Sequence, residues 1–245
     1  MPRFFVPSDN FSENQVKITG EDAFHIARAL RMAVGDSITV CDMHGSEYSC
    51  LITRIRDDEC TSDIISVTEG KTESPVYISL YMAYPKGDKL ETVTQKAVEL
   101  GASEITPFES SRCVKKPKPE KAEKEHARLT KIAEEAAKQC GRSRLVKISP
   151  ALSYSEMLTR ANEADAVLFC YEGDGARSLK EVLSSFNNNI KSIAVIVGSE
   201  GGFSLSEAEA ARESGAYIVN LGPRILRCET APSYVLSSIS YQFEL

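Results

Sequence analysis

The sequence predicts an α/β protein, a parallel sheet built from βαβ units and preceded by a small β-barrel-like module. Three observations carry that expectation. Residues 1–70 break into short strand-like pieces, the segment TEGKTESP at 68–75 is polar and closes in a proline, and from Val76 apolar β-branched runs alternate with helical patterns. The first is the texture of a small all-β unit, the second of a linker, and the third of a parallel sheet with crossover helices. The boundary falls between residues 71 and 72, giving a barrel-like domain of 1–71 and an α/β domain of 72–245.

In chain order, RFFV, QVKI, DSITV, EYSCLITRI and CTSDIISV are expected strands, with a single helix at about 21–33. The runs VYISLYMAY, EITPF, AVLFCY, SIAVIV and AYIVNL follow as strands of the larger sheet. In DKLETVTQKAVELG, Leu90, Val93, Ala97 and Leu100 recur at spacings of three or four, and Gly101 closes the helix at a C′ position. The stretch 120–140 is long and charged, with Leu129, Ile132, Ala136 and Cys140 as its expected buried stripe. Ser204 and Glu207 fit a capping box, Gly215 ends the helix they start, and YIVNL at 217–221 returns as a strand.

At 245 residues and 42% hydrophobic content the chain can bury a sizeable core. No apolar run approaches the roughly 18–20 residues of a membrane span, and MPRFFVPSDN lacks the long apolar stretch of a signal peptide, so a cytoplasmic protein without membrane association is expected. Seven scattered cysteines, with no C-x-x-C pair, are expected to be reduced thiols, and no structural metal is expected. The net charge of −6 argues against bulk electrostatic binding of nucleic acid. Residues 1–70 hold six Lys/Arg against twelve Asp/Glu, whereas 71–245 balance. Any RNA contact is therefore local, at Arg28 with Arg31, at Arg112, Lys115, Lys116 and Lys118, at Arg142 with Arg144, or at Arg224 with Arg227; each is more often just a solvated face.

Two loops carry the candidate chemistry. GSEGGF (198–203) and GPRILRCETA (222–231) follow strands expected to be neighbours, at the carboxyl ends where open parallel sheets bind ligands. The first loop has neither the Lys-Ser/Thr of a phosphate loop nor G-x-G-x-x-G, and Glu200 would repel a phosphate. Its glycines allow close approach of a flat ligand such as adenine. Glu200 with the apolar Leu221, Ile225 and Leu226 suits a ligand that carries a cation and no phosphate, and S-adenosyl-L-methionine is such a ligand. A plain strand-to-helix turn is the alternative reading of the first loop taken alone.

LGPRILRCETA and GSEGGF, together with QKAVELG (95–101), EEAAKQCGR (134–142) and HIARALRM (25–32), resemble the bacterial small-subunit (16S) ribosomal RNA uracil-N3 methyltransferase family of the SPOUT class. The resemblance spans almost the whole chain. It implies a Rossmann-like domain ending in a trefoil knot, an S-adenosyl-L-methionine pocket made by the knotted loops, a PUA-like N-terminal barrel that grips RNA, and a homodimer acting on 16S ribosomal RNA or the small subunit. Three residues depart from the family pattern: Ser199 where proline is common, Cys228 where threonine is common, and Pro232 near the start of the last helix.

The expected cofactor contacts are Val197, Gly198, Glu200, Gly201, Gly202, Leu221, Gly222, Ile225, Leu226 and Arg227. Arg227 and Glu229 are the expected catalytic residues, the guanidinium serving RNA phosphate or charge developing on the uracil oxygens; an Arg227–Glu229 ion pair is the alternative. Arg3, Arg28, Arg31 and Arg142 are the expected RNA contacts, while Lys96 and Glu99 are expected to pair with each other. Cys228 raises a second chemistry, thiolate attack on C6 of the base with methylation at C5. Other functions open to the sequence are methylation of another RNA position by the same fold, an inactive RNA-binding assembly factor, and a nucleotide-dependent α/β enzyme.

Overall fold

The computed structural model describes all residues of 1–245 apart from 115, 117, 118 and 188, so Lys115 and Lys118 of the basic run lie outside the described residues. The chain divides into two units, Met1–Glu73 with Ala137–Leu145, and Ser74–Ala136 with Val146–Leu245.

In the first unit, β1 (Arg3–Phe5), β2 (Gln15–Thr19), β3 (Ser37–Cys41), β4 (Ser46–Ile55) and β5 (Glu59–Glu69) form one sheet in the order β1-β3-β4-β5-β2. β1 pairs with β3 in parallel and the remaining pairs are antiparallel. Alternation sends Val16 and Ile18 of β2 inward, where they join Phe4, Ile38, Val40 and Ile52 in a single core. Register shifts at Ser49/Cys50 and Ile52/Arg54 bend the long β4–β5 pair. The expected helix at 21–33 is shorter than its pattern suggests. α1 (Glu21–Phe24) runs into a π-helical turn at His25–Ala29, and Arg31, at φ 52°, turns the chain out of the helical region.

The segment 137–145 belongs to this unit, which the sequence boundary at 71/72 does not anticipate. Its ties are polar. Glu73 accepts from the Arg142 Nε at 3.1 Å and from the Ser143 amide at 2.9 Å, while Lys138 pairs with Asp22 at 2.8 Å. Thr72 donates to the Gly141 carbonyl.

The second unit holds β6 (Tyr77–Ala83), α2 (Lys89–Glu99), β7 (Glu104–Glu109), α3 (Ala122–Cys140, whose last turn lies in the first unit), β8 (Lys147–Ile148), β9 (Leu152–Ser153), α4 (Tyr154–Ala161), β10 (Ala166–Cys170), β11 (Arg177–Ser178), α5 (Leu179–Ser185), β12 (Ser192–Val197), α6 (Leu205–Glu213), β13 (Tyr217–Asn220) and α7 (Thr230–Phe243). Its sheet runs β11-β13-β10-β12-β6-β7-β8, with β9 also on β7, and every pairing is parallel. Central strands are buried on both faces, so β12 carries an unbroken buried run from Ile193 to Val197.

The helices follow their predicted stripes with two shifts. In α2 the buried residues are Leu90, Val93, Thr94, Ala97 and Val98, whereas Leu100 caps the helix, with Gly101 following at φ 89°. In α3 the buried stripe is Leu129, Ala133, Ala136 and Ala137, and Ile132 and Cys140 are only partly covered. Pro232 is the third residue of α7, in the first turn, where an amide has no helical partner to lose. No helix among the described residues is long and apolar enough to cross a membrane.

Candidate functional site

The strand order corrects one expectation directly: β12 and β13 are not neighbours, because β10 lies between them. Three loops therefore meet at the carboxyl ends of β12, β10 and β13. Together with residues of α2 and the loop after β7 they enclose a cavity of about 550 Å3.

The first loop is a tight turn. The Gly202 amide donates to the Ser199 carbonyl at 2.9 Å, and Gly202 stands at φ 61°, where a side chain is strained. A Cβ on Gly201 would stand 2.9 Å from the Arg112 carbonyl oxygen, and one on Gly198 would stand 3.1 Å from the Gly202 Cα. At these two positions the close approach that excludes a side chain is to the protein itself. Nothing lies within 4 Å of a Cβ position on Gly202. Phe203 anchors the loop below, its ring 4.3 Å from that of Phe169. Ser204 then opens α6 with a reciprocal capping box to Glu207, whose carboxylate also accepts from the Ser111 amide.

Of the expected site residues, Val197, Gly198, Glu200, Gly201, Gly202, Leu221, Ile225, Leu226 and Arg227 all line this cavity. Gly222, at φ 103°, turns the second loop without being part of the wall, and Glu229 stands at the N-terminus of α7 outside it. The sequence reading missed Lys89 and the Tyr171–Gly173 loop, and it takes Arg112 as a basic RNA-contact candidate rather than a cavity residue; all of them line the cavity. The strand-end rule applied to β6 and β10 as well as β12 and β13 would have found Lys89 and that loop.

Lys89 is the electrostatic centre. Its ammonium lies 2.9 Å from Glu200, 3.2 Å from Glu229 and 3.8 Å from the Cys228 sulfur. Partial burial would raise the Glu200 carboxyl, but the Lys89 side chain and backbone amides, that of Lys86 among them, hold it down at about 2. Glu229 likewise stays below the usual carboxylate range, chiefly through its own backbone amide, with Cys228 and Lys89 adding to it. The two carboxylates in turn raise Lys89. The Cys228 thiol is buried and donates to Glu229 at 3.3 Å; burial, then that hydrogen bond, push it up to about 12. It is a thiol at neutral pH. The expected alternative, an Arg227–Glu229 pair, is absent: Glu229 pairs with Lys89, and Arg227 is exposed with no ion pair among the described residues.

The arginines of the first unit separate. Arg142, an expected RNA contact, is 4% exposed and its guanidinium is held in an ion pair with Glu73. Arg3 is also largely covered, bonded to Glu47, to the Cys41 sulfur and to the Arg142 carbonyl. Arg28 and Arg31 are exposed, Arg28 paired with Asp57 at 2.7 Å. All seven cysteines are free, and no cluster of three or more His, Cys, Asp or Glu among the described residues forms a metal site.

The cavity is of a size that suits a nucleoside-sized ligand. Val197, Leu221, Leu226 and Phe203 give apolar walls, the side-chain direction of Gly202 is open, and Glu200 supplies a fixed anion. Comparison with known proteins agrees in kind. The model of an RNA methyltransferase domain matches residues 72–240, and that of an RNA methyltransferase PUA domain matches residues 18–65. Ribosomal RNA small subunit methyltransferase E of Bacillus subtilis is 35% identical over 100% of this chain and 98% of the relative. The protein of the same description from Synechocystis is 28% identical over 99% of this chain and 78% of its own. The crystal structure of ribosomal RNA small subunit methyltransferase E from Neisseria gonorrhoeae, bound to S-adenosyl methionine, superposes with a TM-score of 0.87 at 29% identity, covering 99% of this chain and 98% of that one. With one family model covering most of its length and a full-length relative above 30% identity, this chain belongs to the RNA methyltransferase family.

Proposed function

We propose that this chain methylates N3 of a uridine in 16S ribosomal RNA, with S-adenosyl-L-methionine as methyl donor. One observation carries the assignment of the site. The loops after β10, β12 and β13 converge on one cavity that combines apolar walls with charged groups, and Arg227, exposed and without an ion pair among the described residues, stands at its wall. Val197, Gly198, Gly201, Gly202, Leu221, Ile225 and Leu226 hold the cofactor, Glu200 faces its positive end, and Gly222 gives the second loop its turn. When bound, the cofactor supplies a methyl group activated by a sulfonium.

The chain's own residues then have three tasks. The apolar walls exclude water and fix the ligand in line with the incoming base. Arg227 faces the negative charge that spreads over the uracil carbonyl oxygens as N3 loses its proton, or the adjoining phosphate. Glu229 acts through position: its carboxylate is committed to Lys89 and to the Cys228 thiol. The Cys228 thiol, held protonated, favours N3 over the C5 route, which needs a thiolate.

The N-terminal domain, 1–71, is proposed as a PUA-like RNA-binding module with Arg28 and Arg31 on its contact face, and 72–245 as the methyltransferase domain. Chain path supports the trefoil knot: from β13, on the far side of β10, the second loop returns to α7, which packs against α2, α5 and β12. A cytoplasmic homodimer completes the reading. Incubation of the purified protein with S-adenosyl-L-methionine and unmodified 16S RNA or small subunits, followed by nucleoside mass spectrometry, tests it. The expected product is 3-methyluridine. Methylation at another atom, or RNA binding without methyl transfer, overturns it.

A further inference from the structure

The geometry points to Lys89 as a positioning residue that clamps the two cavity loops to the start of α2 through Glu200 and Glu229, and thereby sets the affinity of the cavity for its cofactor. The inference rests on the reading of this cavity as the cofactor site. Glu200 lies in the loop after β12 and Glu229 at the end of the loop after β13, and β10 separates the two strands. No strand pairing joins the loops at that distance. The Lys89 ammonium touches both carboxylates, at 2.9 and 3.2 Å, and the Lys86 amide donates to Glu200 at 3.1 Å. Three chain segments far apart in sequence thus converge on one cation at the cavity wall.

Two effects of Lys89 on a cationic ligand oppose each other, and their signs separate the hypotheses. As a bare charge, Lys89 repels a sulfonium and an ammonium, so its removal would tighten binding. As a clamp it keeps two like-charged carboxylates in place, so its removal lets the loops part and weakens binding. The structure favours the clamp, because the ammonium is already neutralised by two partners at hydrogen-bond distance.

Calorimetry with S-adenosyl-L-methionine and steady-state kinetics on RNA test the assignment. Lys89→Met should raise the cofactor Kd and KM about tenfold, with a smaller fall in kcat, and Lys89→Arg should recover much of the loss. Lys96→Met, which removes an exposed pair with Glu99 on the same helix, should change neither. In a cycle with Glu229→Gln, the double variant should bind no worse than the weaker single one, since both remove the same clamp. Wild-type protein that takes up no cofactor overturns the cavity assignment and this proposal with it. Wild type that binds while Lys89→Met binds as tightly or more tightly, or additive losses in the cycle, overturns the clamp alone.

Discussion

At the scale of single residues, the site is governed by which groups are charged. Cys228 is held as a thiol at about 12, so Cys228→Ser should keep most activity, within about threefold, in single-turnover methylation. A large loss would revive the covalent route. Glu200 shows the opposite titration. Its folded value of about 2 lies below the ordinary carboxylate value, so its ionic contribution to stability is present above about pH 4.3 and fades as pH falls towards 2. Because the side chain is partly solvated, that contribution is about 1 kcal/mol at most. Denaturant midpoints of wild type and Glu200→Gln should therefore differ at pH 7 and converge by about pH 2. Gly201 is limited by packing: Gly201→Ala forces a methyl towards the Arg112 carbonyl and should cost about 1–3 kcal/mol, read by the same midpoints.

Secondary elements explain why some local signals translate into structure and others do not. The Ser204–Glu207 capping box is a short-range device, satisfied within four residues, and the structure contains it as read. The expected stripe of α3, Leu129, Ile132, Ala136 and Cys140, rests on helical spacing, and Leu129 and Ala136 of it are buried. Leu129, Ala133, Ala136 and Ala137 face inward, small residues accepting close packing that Ile132 does not receive. Leu129→Ala should accordingly cost about 2–5 kcal/mol and Ile132→Ala distinctly less, as judged by chemical denaturation. Pro107 shows how β7 tolerates a proline. The strand is paired along one side by β6, while β8 takes Glu104 and Ile105 and β9 takes Phe108 and Glu109, leaving Pro107 at the gap between these two short partners.

For the whole molecule, the two units are interleaved in sequence. A cut at residue 72 keeps Glu73 with Arg142 but strips 137–145 of Asp22 and Arg3. The fragment 72–245 should thus become protease-sensitive around 137–145, where the intact chain resists, as limited proteolysis with mass spectrometry would show. Arg142→Ala leaves the largely covered Glu73 carboxylate without its ionic partner. It should cost about 3–5 kcal/mol while the folded protein keeps its RNA affinity, in contrast to Arg28 or Arg31 variants.

The α/β class, the parallel sheet, the helix ends marked by Gly101 and Ser204, and the two glycine loops are legible in the sequence, because each is signalled by a pattern of residues close along the chain. The sequence also carried the family, since motifs in the right order survive without coordinates. Packing of the folded chain places β10 between β12 and β13, joins their loops through Lys89 and makes Arg142 a buried partner of Glu73. The ion pairs join residues 69 and 140 positions apart, Glu73 with Arg142 and Lys89 with Glu229, and β10 pairs with β12 and β13 across 27 and 49 positions; no local pattern encodes such pairings. An arginine in a basic-looking stretch reads the same whether it faces water or a carboxylate, and the packed fold alone assigns its neighbour.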